Sequence, residues 1–249
     1  MTTTPLINWR SSGATDPGKI RRLNEDAFLD KPDIGLWVVA DGMGGHQAGD
    51  FASDLIVSTL SRDLPQAGLE QATQAAKASL VRVNASLMAA ARERQQTLIG
   101  STVVIFLARG ARYSCIWAGD SRLYRLRHGV FEQLTHDHSE VQHLIDHGML
   151  KRADSESHPA ANVITRAIGA LEDSHLDVVE GDLVAGDRYL LCSDGLYREL
   201  SEREMAQSMQ FNAEPANTVT DLLSLALHRG ARDNVTLVAV NFSDGGQSG

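Results

Sequence analysis

Long apolar runs are missing from this chain. No segment reaches the ~20 consecutive apolar residues that a membrane-spanning helix needs. Residues 1–13 are polar around a single tryptophan and hold no apolar core of a signal peptide. The expectation is a cytoplasmic protein without a membrane partner. Cysteine is scarce too. Cys115 and Cys192 are the only two, and both lie in apolar, strand-like runs, which favours buried free thiols over a disulfide. Positive charge is in deficit. With a net charge of -9 the chain has no basic stripe of the kind phosphate backbones attract, which argues against a nucleic-acid partner. The acidic excess can serve solubility or a metal site, and composition alone leaves both open. No repeat and no linker divides the 249 residues. One domain is therefore expected over residues 1–242, in a monomeric protein, with a Gly/Ser-rich disordered tail at 243–249.

What is present is enough apolar residue, 43%, to build a core. The run 35–40 (GLWVVA) reads as a buried strand opening at Asp41-Gly42. Apolar residues at helical spacing predict helices over 48–60 and 69–90, the second packed on a sheet rather than in a coiled coil, because its seam is alanine-rich. The period then changes. Residues 102–108, 113–118, 123–126 and 130–134 are short, β-rich and separated by turn residues, which predicts an antiparallel meander. A short helix is expected over 139–147, ended by Gly148, then an irregular polar stretch over 149–162. Strands follow at 176–179 and 188–192. A helix at 201–209 has Glu204 placed for a capping box. Pro215 opens a helix that Gly230 closes, and a last strand covers 235–242. Strands with helices before and after them, not strict βαβ alternation, point to an α+β fold of antiparallel sheets flanked by helices.

Five acidic motifs punctuate this framework: Asn24-Glu25-Asp26, Asp41-Gly42-Met43-Gly44-Gly45-His46, Gly119-Asp120-Ser121, Ser193-Asp194-Gly195 and Asp233-Asn234. Each ends an apolar run or adjoins a glycine. A single Asp-Gly pair is usually a turn. Five together suggest carboxylates converging from distant segments, which repel one another unless cations neutralise them. Hard ions such as magnesium and manganese prefer such oxygen donors. Asp41 can bridge two ions, with the carbonyl of Gly42 beside it, and Asp194 and Asp233 repeat the pattern. Two ions held together activate a water for in-line attack on a phosphoryl group.

Taken in order, Asp16-Pro17-Gly18, Arg21-x-x-Asn24-Glu25-Asp26, Val39-Ala40-Asp41-Gly42-Met43-Gly44-Gly45-His46, Gly100-Ser101-Thr102, Gly119-Asp120-Ser121-Arg122, His158-Pro159, Thr165-Arg166-Ala167-Ile168-Gly169, Cys192-Ser193-Asp194-Gly195-Leu196 and Arg232-Asp233-Asn234-Val235-Thr236 closely resemble the metal-dependent Ser/Thr protein phosphatases (type 2C, or PPM), in their compact bacterial branch. The resemblance runs from about residue 16 to 242. It implies a four-layer α/β/β/α sandwich with a dinuclear site between two antiparallel sheets. It implies Mn2+ or Mg2+ as cofactor, two ions bound tightly and a third more weakly. Asp41 then resembles the bridging ligand with the carbonyl of Gly42, and Asp194 and Asp233 the remaining ligands of the first ion. Glu25 resembles a ligand of the second ion, and Asp26 an acceptor behind the ligands. Asp120, with Asp194, resembles the holder of the third ion, which is expected at the rim of the site. Arg21 takes the place of the phosphate-binding arginine, whose planar fork suits two phosphate oxygens. Where animal members place a histidine directly after Asp-Gly, this chain has Met43. His46 or a metal-bound water is left as the leaving-group acid.

Five of the nine histidines fall within residues 136–158. His143 and His147 have zinc-capable i, i+4 spacing, but the resemblance makes residues 136–162 a flap over the active site, and a polar flap face explains them better. The resemblance implies an enzyme hydrolysing phosphoserine and phosphothreonine of phosphoproteins, opposite a eukaryotic-like Ser/Thr kinase. Two alternatives stand beside it. One is a catalytically weak phosphoprotein-binding module of the same fold, which the retained Asp41, Asp194 and Asp233 disfavour. The other is a metal-dependent nuclease, which the acidic charge disfavours.

Overall fold

The computed structural model describes residues 7–44, 48–155 and 157–245. Two antiparallel sheets lie face to face. The first comprises β1 (Ile7–Asp16), β7 (Arg122–Arg127), β8 (Val130–Gln133), β10 (Arg188–Cys192) and β11 (Val235–Asp244), in the order β1-β11-β10-β7-β8. The second comprises β2 (Asp26–Lys31), β3 (Leu36–Gly44), β5 (Val103–Arg109), β6 (Arg112–Ala118) and β9 (Asp177–Asp182), in the order β2-β3-β5-β6-β9, with β4 (Ile99–Ser101) paired to the far end of β3. Helices α1 (Gly49–Asp63) and α2 (Leu69–Glu93) cover the second sheet. Helices α5 (Glu202–Phe211) and α6 (Pro215–Arg229) cover the first. The result is the expected α/β/β/α sandwich.

Strand β3 shows why its run is apolar on both faces. Alternate residues point to opposite sides of a strand. Leu36, Val38 and Ala40 pack with Ile56, Leu60, Leu80 and Leu87 of the helices. Trp37 and Val39 face the other sheet and pack with Phe106, Tyr189, Val238 and Phe242. All are fully or nearly fully buried, each large side chain contributing about 1.5–3 kcal/mol by leaving water. The rings of Phe106 and Tyr189 lie 4.5 Å apart and join the sheets at their centre. Cys115 and Cys192 are buried free thiols, as expected.

Helix limits follow the local signals. Ser201 and Glu204 form a reciprocal capping box at the start of α5. Pro215 opens α6, and Gly230 ends it at φ 125°. Ser139 caps α3 (Glu140–Asp146). Among the described residues no helix is long and apolar enough to cross a membrane.

Three expectations are corrected. The meander does not exist as one sheet: β5 pairs β6 and β7 pairs β8, but β6 and β7 belong to different sheets. The Gly119-Asp120-Ser121 segment is therefore a crossover between layers, not a hairpin turn. Residues 7–13, read as a polar terminus, form most of β1. That strand lies at a sheet edge, pairs only with β11 and is partly exposed, so it lacks an apolar signature. The last strand continues through Ser243 and Asp244, which pair with Asn8 and Ile7, so these two residues are not part of the tail expected at 243–249. Residues 246–249 lie outside the described residues.

Candidate active site

The acidic motifs converge at one end of the sandwich, where the two sheets meet. Asp26 begins β2 and pairs in register with Asp41 of β3. Asp41 is held through its backbone: its N–H donates to Thr102 Oγ1 (3.2 Å) and its carbonyl accepts from Thr102 N–H (2.9 Å). Gly42 leaves no room for a side chain, since a Cβ there would meet Gly49 O at 2.0 Å and Glu25 O at 2.6 Å. This crowding presses the β3 backbone against Glu25 and the start of α1. Glu25 Oε1 accepts from Gly49 N–H (3.2 Å), at the positive end of that helix.

Asn234 fastens the other side. Its Oδ1 accepts from Glu25 N–H (2.8 Å), while its Nδ2 donates to the carbonyls of Pro17 (3.0 Å) and Leu23 (2.9 Å). The loop bearing Arg21 is thus fixed against β11 and Asp233. Asp194 begins the short helix α4 (Asp194–Tyr197). Gly195 lies so close to Asn234 that a Cβ would sit 1.9 Å from its carbonyl oxygen. Behind these groups Ser193 Oγ donates to Asp26 Oδ2 (2.7 Å) and accepts from Thr236 N–H (3.1 Å).

The electrostatics are those of crowded acid. Burial first, and then the charges of Asp26, Asp194, Asp120 and Asp233, raise the Asp41 pKa well above the ordinary carboxylate value. Burial pushes Asp26 up to about 6, against hydrogen bonds from Thr236 and Ser193. Burial and neighbouring Asp120 push Asp194 up to about 7. Burial also raises Glu25 and Asp120. The partial counter-ions are arginines. Arg21 Nη2 lies 2.8 Å from Asp233 Oδ2, and Arg198 Nη2 lies 3.0 Å from Asp194 Oδ2.

Asp120 is not at the rim. It is 3% exposed, because the crossover carries it between the layers. Its Oδ2 accepts from Tyr197 OH (3.2 Å), while its Oδ1 is buried with no partner. An orphaned buried carboxylate oxygen costs about 1–3 kcal/mol or more. Together with the pressed-in Gly42 backbone and an all-oxygen donor set, that orphan fits hard divalent cations. Among the described residues no three such side chains are already drawn into ion-holding geometry. His143 and His147 have ring centroids 4.2 Å apart on α3 and just beyond it, and form no zinc cluster either.

A cavity of about 650 Å3 opens from the acidic cluster. Arg21, Asp120, Arg198 and Asp233 line it, together with Arg152 and Asn162 from the segment between α3 and β9. All sequence-derived site residues except one are brought together. His46 lies outside the described residues. Sequence reading missed Asn234 as a clamp, and Tyr197 and Arg198 as partners of Asp120. Asn234 sits inside a quoted motif, which was its signal. Tyr197 and Arg198 had none beyond following Asp194-Gly195-Leu196.

This combination, a carboxylate cluster between stacked antiparallel sheets with an arginine at the mouth, defines a metallo-hydrolase type of site. The protein phosphatase 2C family model matches residues 21–229, and the chain belongs to that family. Its solved likenesses include PppA, described as a key regulatory component of the T6SS in Pseudomonas aeruginosa. That likeness has a TM-score of 0.89 at 44% identity, covering 95% of this chain and 99% of that one. The catalytic domain of the serine/threonine protein phosphatase PstP, solved with 2 manganese ions, matches with a TM-score of 0.86 at 33% identity, covering 96% and 100%. PstP of Mycobacterium tuberculosis is 37% identical over 241 residues, 94% of this chain, but the chain spans only 45% of that relative's length.

Proposed function

We propose that this chain is a metal-dependent protein-serine/threonine phosphatase that removes phosphate from phosphoproteins. The observation that carries the reading is Asp41, ringed by Asp26, Asp120, Asp194 and Asp233, with Arg21 at the mouth beside Asp233. Asp41, the carbonyl of Gly42, Asp194 and Asp233 would hold one divalent ion, and Asp41 with Glu25 a second, with Mn2+ and Mg2+ both suited to these oxygens. Bound there, the ions supply a nucleophilic water and neutralise the phosphoryl oxygens. The chain's own residues do the rest. Asn234 and Gly49 set the position of Glu25, Thr102 that of Asp41, and Ser193 that of Asp26. Arg21, at the mouth beside Asp233, would donate its planar fork to the substrate phosphate. A cytoplasmic location, and a Ser/Thr kinase whose products this chain reverses, belong to the same proposal. A purely binding module of this fold is not favoured, since every acidic ligand position is retained.

The test is hydrolysis of p-nitrophenyl phosphate and a phosphothreonine peptide with added Mn2+, and again with excess chelator. Turnover that needs the metal and vanishes on chelation is expected. Full turnover in chelator, with no metal by elemental measurement, overturns the reading.

A further inference from the structure

Arg198 joins two parts of the molecule that the metal reading treats separately. It follows α4, four residues after Asp194, and its side chain is 25% exposed. Its Nη2 lies 3.0 Å from Asp194 Oδ2 and 3.7 Å from Asp120 Oδ2, so one guanidinium spans the carboxylate pair. The same nitrogen donates to the carbonyl of Ala161 (3.2 Å), and Nη1 donates to Asn162 Oδ1. Ala161 and Asn162 belong to the flap between α3 and β9, and both line the cavity. The partner groups are otherwise poorly compensated. Among the described residues Asp120 has only Tyr197 OH as a further donor, and its second oxygen has none. Arg122 acts on it only through space, since its guanidinium is bonded to Asp137 through contacts of 2.6–3.1 Å and stacks on the Tyr197 ring at 3.5 Å.

A single cation therefore neutralises Asp120 and Asp194 while its remaining donors hold the flap. Two positive charges cannot share one carboxylate pair at such distances without strong repulsion. We propose that Arg198 is a tethered cation that competes with a divalent ion for the Asp120–Asp194 pair, so that ion entry expels the guanidinium and releases the flap at Ala161–Asn162. Arg198 is a positioning residue in this scheme. It sets the affinity of the weakest ion position and links that position's filling to the flap. The inference rests on the metal-dependent reading above.

The test compares the wild-type protein with Arg198→Gln and Arg198→Lys. Manganese isotherms are measured by calorimetry, and amide hydrogen exchange is followed over residues 157–165 with and without Mn2+. Glutamine removes the charge, so Arg198→Gln is expected to bind the weakest manganese ion at least tenfold more tightly. Its flap amides should exchange at least tenfold faster than wild type without metal and respond little to Mn2+. Lysine keeps the charge but lacks the fork that reaches carboxylates and flap together. Arg198→Lys should keep weak ion binding near the wild-type value yet show the fast flap exchange. In the wild-type protein, Mn2+ should accelerate exchange over 157–165. Unchanged isotherms in Arg198→Gln, or wild-type flap exchange indifferent to Mn2+, would overturn the proposal. If the wild-type protein binds no manganese at all, the metal-site reading itself fails, which is a separate result.

Discussion

Asp26 and Asp41 stand directly opposite each other in the β2–β3 ladder. Like charges in that position destabilise a sheet, and here Asp26 is buried and Asp41 half-buried, with both pKa values raised. Folding thus builds a repulsive pair at the centre of the site, and the pair is useful only when a cation lies beside it. Asp41→Asn removes one charge at constant volume. The metal-free protein should become more stable, and a gain of about 1 kcal/mol corresponds to roughly 2–4 °C in Tm at this size. Manganese-dependent hydrolysis should fall on the order of a hundredfold, about 2.7 kcal/mol of transition-state stabilisation. Thermal melts in chelator and phosphopeptide kinetics read the two effects. A lower Tm in chelator would refute the repulsion argument.

The same shifts give a pH dependence with a definite sign. Asp26 is raised to about 6 and Asp194 to about 7 from an ordinary 3.8, and Asp41 is raised further in the same direction. The fold therefore favours their protonated forms. Their contribution to stability is complete below pH ~4 and is lost as pH rises through 6 and 7. His138, lowered by its burial, opposes this as one group against five, since Glu25 and Asp120 are raised as well. The Tm of chelated protein is expected to fall between pH 5 and pH 8. With saturating Mn2+ the trend should reverse, because ion binding needs the ionised ligands and releases their protons. A chelated protein that gains stability from pH 5 to 8 contradicts the shifts.

Arg21 tests binding apart from chemistry. It is half exposed and pairs with Asp233, so its loss should cost the fold little. Arg21→Ala is expected to raise KM for phosphopeptides and weaken inhibition by inorganic phosphate, with kcat nearly unchanged if the guanidinium binds substrate and transition state alike. Steady-state kinetics at saturating Mn2+ decide this. Unchanged KM and unchanged phosphate inhibition return Arg21 to the role of a counter-ion for Asp233.

Much of this molecule was legible in the chain, and the failures have physical causes. Helices α1 and α2 were legible because their buried faces repeat at helical spacing, α6 because Pro215 and Gly230 mark its ends, and β3 and β5 because burial on both sides leaves only apolar residues. Strand β1 was hidden because an exposed edge tolerates Arg10, Ser11 and Ser12. The β6–β7 crossover was hidden because Gly-Asp-Ser is turn chemistry in a hairpin and in a layer change alike. The carboxylates were legible through their motifs, whereas Tyr197 and Arg198 were not. Their role comes from where the crossover delivers Asp120, a tertiary fact that no local pattern carries.

Gly119 makes that crossover possible. It adopts φ 108°, and a Cβ would lie 2.6 Å from both Cβ and Cγ2 of Thr102. Thr102 in turn holds Asp41 N–H and the Ser121 hydroxyl. Gly119→Ala should therefore act twice: strain of about 1–3 kcal/mol in the backbone, and displacement of Thr102 away from Asp41. The expected outcome is a lower Tm both with and without Mn2+, and weaker manganese binding. Asp41→Asn differs by raising the Tm in chelator, so the pair separates strain from charge. A Gly119→Ala protein with wild-type melting and wild-type manganese affinity would show that the loop has room the structure does not display.

Asp120 separates ion binding at the depth of the cluster from ion binding at its side. Its carboxylate lies between the layers, with Oδ2 facing Tyr197 and Arg198 and Oδ1 without a partner. Asp194 is its neighbour among the acidic motifs, while the nearby Asp137 is paired with Arg122. An ion held by two carboxylates, against a resident guanidinium, leaves most of its shell to water and binds weakly. Weak binding contributes little to stability, since the gain scales as RT ln(1 + [L]/Kd) and reaches ~2.7 kcal/mol only at a hundredfold excess over Kd. Asp120→Asn keeps the volume and an acceptor for Tyr197 OH while deleting the charge. Two manganese ions should still bind tightly, through Asp41, Asp194, Asp233 and Glu25, and the Tm in Mn2+ should stay near that of the wild-type protein. Turnover should fall at least tenfold, about 1.4 kcal/mol of transition-state stabilisation, because the carboxylate charge that would hold the weaker ion is gone. Calorimetric stoichiometry paired with phosphopeptide kinetics on this variant decides the assignment. Loss of the two tight ions would make Asp120 a ligand of the central pair, and an unchanged rate would strip the side position of any part in the chemistry.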